Sequence, residues 1–442
     1  MPLLLRFLFI LAAASPAAAS AQAAPRLTPA EARMIAVVDA EQGRHLKLLE
    51  SLVKVNSGTM NLPGVQRVGE MLRPEFEQLG FTVRWVPMTR TGRAGHLIAT
   101  HKGDGRGKRL LLIGHLDTVF EPDSPFQGWR VTGDTAEGPG VGDMKGGDVI
   151  IVAALRAMHA AGALKAADIT VVLTGDEEKP GEPLSVARAD LIEAGRNSDV
   201  ALDFEGLSRI GGRDVGSIAR RSSTSWTLRA AAPSGHSSGV CKGQAGCGAI
   251  YELTRILDAF RRELPEPNLT YNVGLVVGGT SAALNADDTG GQASGKPNVI
   301  AAEAIARGDI RTLSPEQEAR VRARMQAIVA QHLDKATATL EFSDDSYPPM
   351  APTEGNRALL AELNRVNASL GLPAMPEGDP AGRGAGDISF VAFIDGLVGL
   401  GMAGEGSHAP GETADLRSLP VQAKRAALLM ARLSRQPRPR SP

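Results

Sequence analysis

The sequence predicts an α/β fold, with a main domain built on a mixed, largely parallel sheet flanked by helices and an α+β module inserted into it. Three observations lead there. Short β-prone runs alternate with helical patterns between residues 109 and 206, as in strand–helix–strand units. Near Gly211 the pattern changes to longer strands separated by two long helical stretches, and after Ser346 the first pattern returns. The 442 residues also exceed one ordinary core, which favours two domains or one domain carrying an insertion.

Residues 1–23 read as an export signal. Arg6 precedes the apolar run Phe7 to Ala14, and small residues around Ala19 to Ala23 offer cleavage sites. The run is too short to span a bilayer as a helix. The mature chain is therefore expected to be exported, periplasmic or secreted, with no membrane attachment. Thr28, Pro29 and Glu31 form a capping-box pattern. Apolar spacing through Leu48, Leu49, Leu52 and Val53, and again through Val68, Met71 and Leu72, predicts two helices before the first strands.

In the alternating region, RLLLIGHLDTV reads as a strand, DMKGGDVIIVAALRAMHAAG as a helix ended by Gly162, DITVVLTG as a strand, PLSVARADLIEAG as a helix and SDVALDFEG as a strand. Parallel sheets of this kind carry their sites at the carboxyl ends of the strands. The inserted module reads as the strand RRSSTSWTLRAA, the helix CGAIYELTRILDAFRREL, the strands YNVGLVVGG and PNVIAAEAIARGDIRTL, and a helix capped by Ser314. Between its strands, GGTSAALNADDTGGQASGKP is Gly- and Ala-rich and reads as a long exposed loop. The expected limits are 24–212 and 346–442 for the two parts of the main domain and 213–345 for the insert.

The 48 basic and 49 acidic residues nearly cancel, so neither nucleic acid nor an anionic membrane is the expected partner. The two cysteines, Cys241 and Cys247, are too few to hold a metal alone. An oxidising compartment would let them pair, whereas a helical segment would place them badly for a bond. Both readings stay open.

The candidate chemistry lies in the strand-end turns. Asp176, Glu177 and Glu178 stand side by side after Thr174 and repel one another, so a cation is expected to face them. His115 ends its strand with Asp117 two residues on, projecting to the same side and placed to orient a histidine ligand. Asp143 follows a glycine-rich turn, where helix capping is the ordinary role of an aspartate. Asp203 and Glu205 end the next strand, and His408 follows the last. Two histidines with several carboxylates suit two zinc ions bridged by a carboxylate. A further carboxylate would take a proton from water during amide hydrolysis.

Taken in order, GHLDTV, GVGDMKGG, TGDEE, DFEG and GSHAPGE resemble the two-zinc metallopeptidases of the aminoacylase and glutamate carboxypeptidase type, and most of all the exported bacterial glutamate carboxypeptidases. The resemblance covers nearly the whole mature chain. It implies that Asp143 bridges two zinc ions, one shared with His115 and Glu205 and the other with Glu178 and His408. Asp203 is the runner-up to Glu205. Glu177 would be the general base and Asp117 the group that orients a histidine. The insert would be a lid and dimerisation domain of a homodimer. Its His236 would stabilise the oxyanion, often across a dimer interface, and Asn298 and Arg311 would grip a substrate carboxylate. Arg383 is a candidate contact to an acidic side chain. Glu205 is followed by glycine where the close relatives have proline, which bears on the substrate side chain rather than the chemistry.

The function so implied is zinc-dependent hydrolysis of an amide bond in a small peptide or N-acyl amino acid with a free carboxylate, with release of C-terminal glutamate as the first choice. An aminoacylase or dipeptidase is the alternative within the family, and a non-catalytic exported binding protein the alternative outside it. A serine hydrolase is set aside because no nucleophile elbow is recognised.

Overall fold

Three helices, not two, precede the first strand: α1 (Pro29–Ala40), α2 (Gln42–Val53) and α3 (Leu62–Glu77). The capping box at Thr28 forms, with Glu31 N donating to the Thr28 hydroxyl and Thr28 N to the Glu31 carboxylate. Helical periodicity runs through Glu41, but the chain breaks there and the Glu41 carboxylate accepts two hydrogen bonds from Arg156, a partner that periodicity cannot announce. The computed structural model describes residues 26–438 apart from 105, 287 and 383, so the expected export signal and Arg383 lie outside the described residues.

The main sheet has six strands. Five are β1 (Thr82–Pro87), β2 (Gly95–His101), β3 (Leu110–His115), β4 (Ile169–Thr174) and β5 (Val200–Asp203), and the closing strand is Asp395–Val398. Their spatial order is β1-β2-β4-β3-β5 and then the closing strand. The last four in that order are mutually parallel, while β1 and β2 pair antiparallel at the other edge. Both faces of the parallel part are covered, which is why β3 reads as an unbroken apolar run. Leu110 and Leu112 pack into the larger core with helices on one side, and Leu111 and Ile113 pack with Val172, Leu191 and Ile388 on the other. The central helix α4 (Lys145–Ala160) is buried along most of its length.

Leaving this sheet after Asp203, the chain forms a second, antiparallel sheet in the order Thr270–Gly279, Glu303–Arg311, Thr224–Ala231, Thr337–Phe342. The helices Ala249–Glu263 and Pro315–Val329 cover one face. Alternation along Thr224–Ala231 sends Trp226 and Leu228 into a separate core with Phe260 and Met325. We call this unit the lid. The segments entering and leaving it lie against each other, with Arg220 bridged to Met350 and Ser223 to Tyr347. The Gly-rich stretch expected to be a long loop instead folds as a hairpin, Ser281–Leu284 against Gly291–Ser294. Its small residues let the backbone pair closely: a Cβ at Gly291 would meet the Ala283 carbonyl at 2.7 Å. Cys241 and Cys247 are disulfide-bonded, and their segment is a turn with Cys241 in the left-handed region, not a helix.

His45 on α2 is buried, and neither ring nitrogen has a hydrogen-bond partner among the described residues. Burial pushes its pKa down to about 4 against the Glu41 carboxylate, which pulls it up. The unfolded chain therefore takes up a proton below its ordinary pKa that the folded chain refuses. Stability should fall between about pH 6.5 and pH 4, by up to about 3 kcal/mol from this residue. His45→Leu is expected to flatten that part of the profile in urea unfolding at pH 7 and pH 5. An unchanged difference between the two pH values would refute the assignment.

Candidate metal centre

The parallel strands deliver the site at their carboxyl ends. His115 is the last residue of β3 and sits opposite Thr174 of β4, so the acidic turn that follows β4 lies beside the histidine. Asp203, opposite Ile113, ends β5, and Glu205 follows it. Asp143 and His408 come from outside this sheet. Asp143 does not cap α4, which begins at Lys145 after Met144 and has no side-chain cap. The loop before it turns at Gly140, whose φ of +73° is a left-handed conformation that glycine adopts without cost. His408 itself has φ +66°, uncommon for a residue with a side chain and a mark of local strain.

These residues converge on Asp143. One carboxylate oxygen lies 3.2 Å from His115 Nε2, and the other lies 3.2 Å from His408 Nε2. Glu205 stands 3.7 Å from the same nitrogen of His115, and Glu178 stands 3.1 Å from that of His408. Two half-sites thus share one carboxylate. A tetrahedral ion bound at about 2.0–2.1 Å would hold its donors roughly 3.3 Å apart, close to the separations seen here. Glu178 Oε1 is buried with no hydrogen-bond partner among the described residues, while its Oε2 faces His408. Burial pushes Glu178 up to about 7, and Asp143 adds to the rise. His115 is driven down by burial but raised well above its ordinary value by Asp117, Asp143 and Glu205. The donor set and its excess negative charge fit a pair of divalent ions.

Glu177 lies within 4.8 Å donor spacing of His115 and Glu205, yet it forms no ion pair with either histidine among the described residues. Burial raises its carboxyl well above the ordinary range, and Glu205, Asp387 and Glu178 add to that. Asp117 fixes the turn that carries it. Its two oxygens accept from Glu177 N and Glu178 N at 3.1 Å each, and Thr59 donates to it at 2.6 Å. Asp117 Oδ1 also lies 3.4 Å from His115 Nδ1. Asp203 accepts from Glu205 N and stays 3.7 Å from Arg220, so Glu205, not Asp203, is the carboxylate beside His115.

Of the three acids in the turn, Asp176 turns away from the cluster. Its cation is Arg188, which is fully buried and bonds Asp176 at 2.6 Å, Asp387 at 2.7 Å and the Tyr347 hydroxyl at 2.8 Å. The expectation that all three acids face one cation is corrected: Asp176 anchors the turn from behind. Arg220, also unforeseen, donates to Gly384 O and has an unpartnered, buried Nη1 near Glu205.

Arg311 and Arg220 line the same pocket of about 580 Å³ as the cluster. Asn298 and His236 do not. They are neighbours on the lid, joined by Ser237 N donating to Asn298 O, and both are exposed. Residues 235–239 do read Gly-His-Ser-Ser-Gly, the spacing of a nucleophile elbow, but they form a short 3-10 turn on the lid and the His236 ring bonds Ser238, not Ser237. No serine nucleophile is assembled there.

Residues 111–432 match the model of the peptidase family M20/M25/M40. The chain belongs to that family. The same fold is seen in a tripeptidase of Staphylococcus aureus, which is 19% identical with TM-score 0.67 over 89% of this chain and 99% of that one. An aminopeptidase of Bacillus cereus is 17% identical with TM-score 0.69 over 89% and 98%. Among curated relatives, carboxypeptidase G2 of a Pseudomonas strain is 38% identical over 178 residues, which spans only 38% of this chain and 40% of that one. A succinyl-diaminopimelate desuccinylase of Novosphingobium aromaticivorans is 29% identical over 390 residues, or 85% and 94%. This member of the family is thus a metallopeptidase of the exopeptidase kind, and the pocket around Asp143 is its candidate site. No helix among the described residues is long and apolar enough to cross a membrane.

Proposed function

We propose that the enzyme removes a C-terminal glutamate from small peptides or N-acyl amino acids, with two zinc ions held by His115, Asp143, Glu178, Glu205 and His408. The observation that carries this reading is the pair of guanidinium groups, Arg220 and Arg311, in the pocket that holds the cluster. One suits the α-carboxylate and the other a side-chain carboxylate, since a planar fork binds a carboxylate through two hydrogen bonds.

When bound, a metal pair lowers the pKa of water and polarises the scissile carbonyl. Glu177 takes the proton of the attacking water and hands it to the leaving nitrogen. Asp117 keeps that turn and the His115 ring in place. His236 and Asn298 lie away from this chain's pocket, and we assign them to the pocket of a second copy in a homodimer, with His236 supporting the oxyanion. The Cys241–Cys247 disulfide favours an exported, oxidising location, periplasmic or secreted.

A second reading follows from the desuccinylase of Novosphingobium aromaticivorans, which matches over more of the chain than carboxypeptidase G2 does. A succinyl group would present its own carboxylate to the same arginines. Measuring amino acid release from peptidyl-glutamate, other N-acyl amino acids and N-succinyl amines separates the two. Glutamate release leading the panel supports the first reading, and succinate release replaces it. Arg311→Ala should raise KM for the best substrate about 10- to 100-fold, the worth of a charge-assisted hydrogen bond of about 1.5–3 kcal/mol, with metal content unchanged. Unaltered kinetics would remove Arg311 from the substrate site.

A further inference from the structure

Glu412 stands four residues beyond His408, buried and outside the ligand set. Its carboxylate accepts three main-chain hydrogen bonds from the loop that carries Asp143: Gly140 N at 3.0 Å, Gly142 N at 2.7 Å and Asp143 N at 2.9 Å. Gly138 N adds a bond to the Glu412 carbonyl at 3.2 Å. The surrounding backbone explains why the two segments meet. Gly404–Glu405 pairs with Thr413–Asp415 to make a hairpin whose loop holds His408, and Thr413–Asp415 pairs on its other side with Thr135–Glu137, which leads into the Asp143 loop. Asp143 and His408, the two ligand candidates that the main sheet does not supply, thus hang from one small side sheet, and Glu412 fastens their loops together.

We infer that Glu412 is a positioning residue that holds Asp143 and His408 in register, and so sets the affinity for the ion on the His408 side. That ion draws two of its three ligands from the side sheet, whereas the ion on the His115 side draws one. The inference rests on the two-ion reading of the site.

The test is stepwise zinc binding to metal-free protein, measured by competition with a chromophoric chelator, with the absorption spectrum of the cobalt form alongside. His408 is far more exposed than His115, so its ion is assigned to the second step, and for Glu412→Ala the expected result is a second-ion affinity about 10- to 100-fold weaker, the usual cost of losing an outer partner of a ligand, with the first-ion affinity nearly kept and the cobalt spectrum altered in the second step alone. Glu412→Gln retains an oxygen for Gly142 and Asp143 and should lose less. Equal weakening of both steps with a lowered unfolding midpoint of the metal-free protein, or wild-type binding in the alanine variant, overturns the inference. Should the alanine variant not fold, wild-type second-ion affinity in the glutamine variant overturns it. Wild-type protein that takes up no zinc would instead sink the two-ion reading itself.

Discussion

Glu177→Gln is expected to lower kcat by about 10²- to 10⁴-fold, the usual worth of a positioned general base, while the protein keeps its full metal content. The reasons are local. The Glu177 main chain is pinned from both sides, by Asp117 accepting from its N–H and by the Tyr347 hydroxyl donating to its carbonyl. The replacement is isosteric, so the turn and the neighbouring Glu178 should hold. Burial and three nearby carboxylates raise the Glu177 pKa, which fits it to accept a proton and pass it on. Metal analysis alongside single-substrate kinetics decides the matter. A variant that loses metal together with activity would make Glu177 a ligand, a role that its donor spacing to His115 and Glu205 also permits.

Asp143→Ala should have a still larger effect, because it removes the one group common to both half-sites. Without it, His115 with Glu205 and His408 with Glu178 each keep two candidate ligands, and the carboxylate that both ions would share is gone. The expected outcome is loss of both ions and of measurable hydrolysis, whereas His408→Ala should lose mainly one ion. Metal content by atomic spectroscopy on dialysed protein reads both. Retention of two ions by Asp143→Ala would show that the carboxylate does not bridge.

Much of this site can be read from the chain because its parts follow regular structure. His115 ends a β-prone run, Glu177, Glu178 and Glu205 follow within four residues of the end of one, and parallel topology brings such strand ends to one edge. What escapes is whatever depends on a distant partner. Nothing in the sequence around Asp176 marks Arg188 as its counter-ion, and the three amides that bind Glu412 lie about 270 residues earlier in the chain. Arg220 reads as one of two adjacent arginines at the start of a strand, and only the folded chain shows which of them turns inward. The hairpin 281–294 was hidden by small residues that carry no alternation, and the break at Glu41 by a helical period that continues across it.

The paired segments at the base of the lid are the place about which any rotation of the lid against the main sheet would turn. Arg220 and Tyr347 lie in that pairing, and Arg311 is next to it through the mutual bonds of Ser222 and Thr312. His236 lies beyond the far end of the eight-residue strand Thr224–Ala231, roughly 26 Å along at about 3.3 Å per residue. A lid rotation of about 10° would therefore sweep His236 and Asn298 through roughly 4–5 Å on that arm length, yet scarcely shift the arginines or the Tyr347 contact to Glu177. Such a rotation would move the far end of the lid while Arg220, Arg311 and Glu177 keep their places around the pocket.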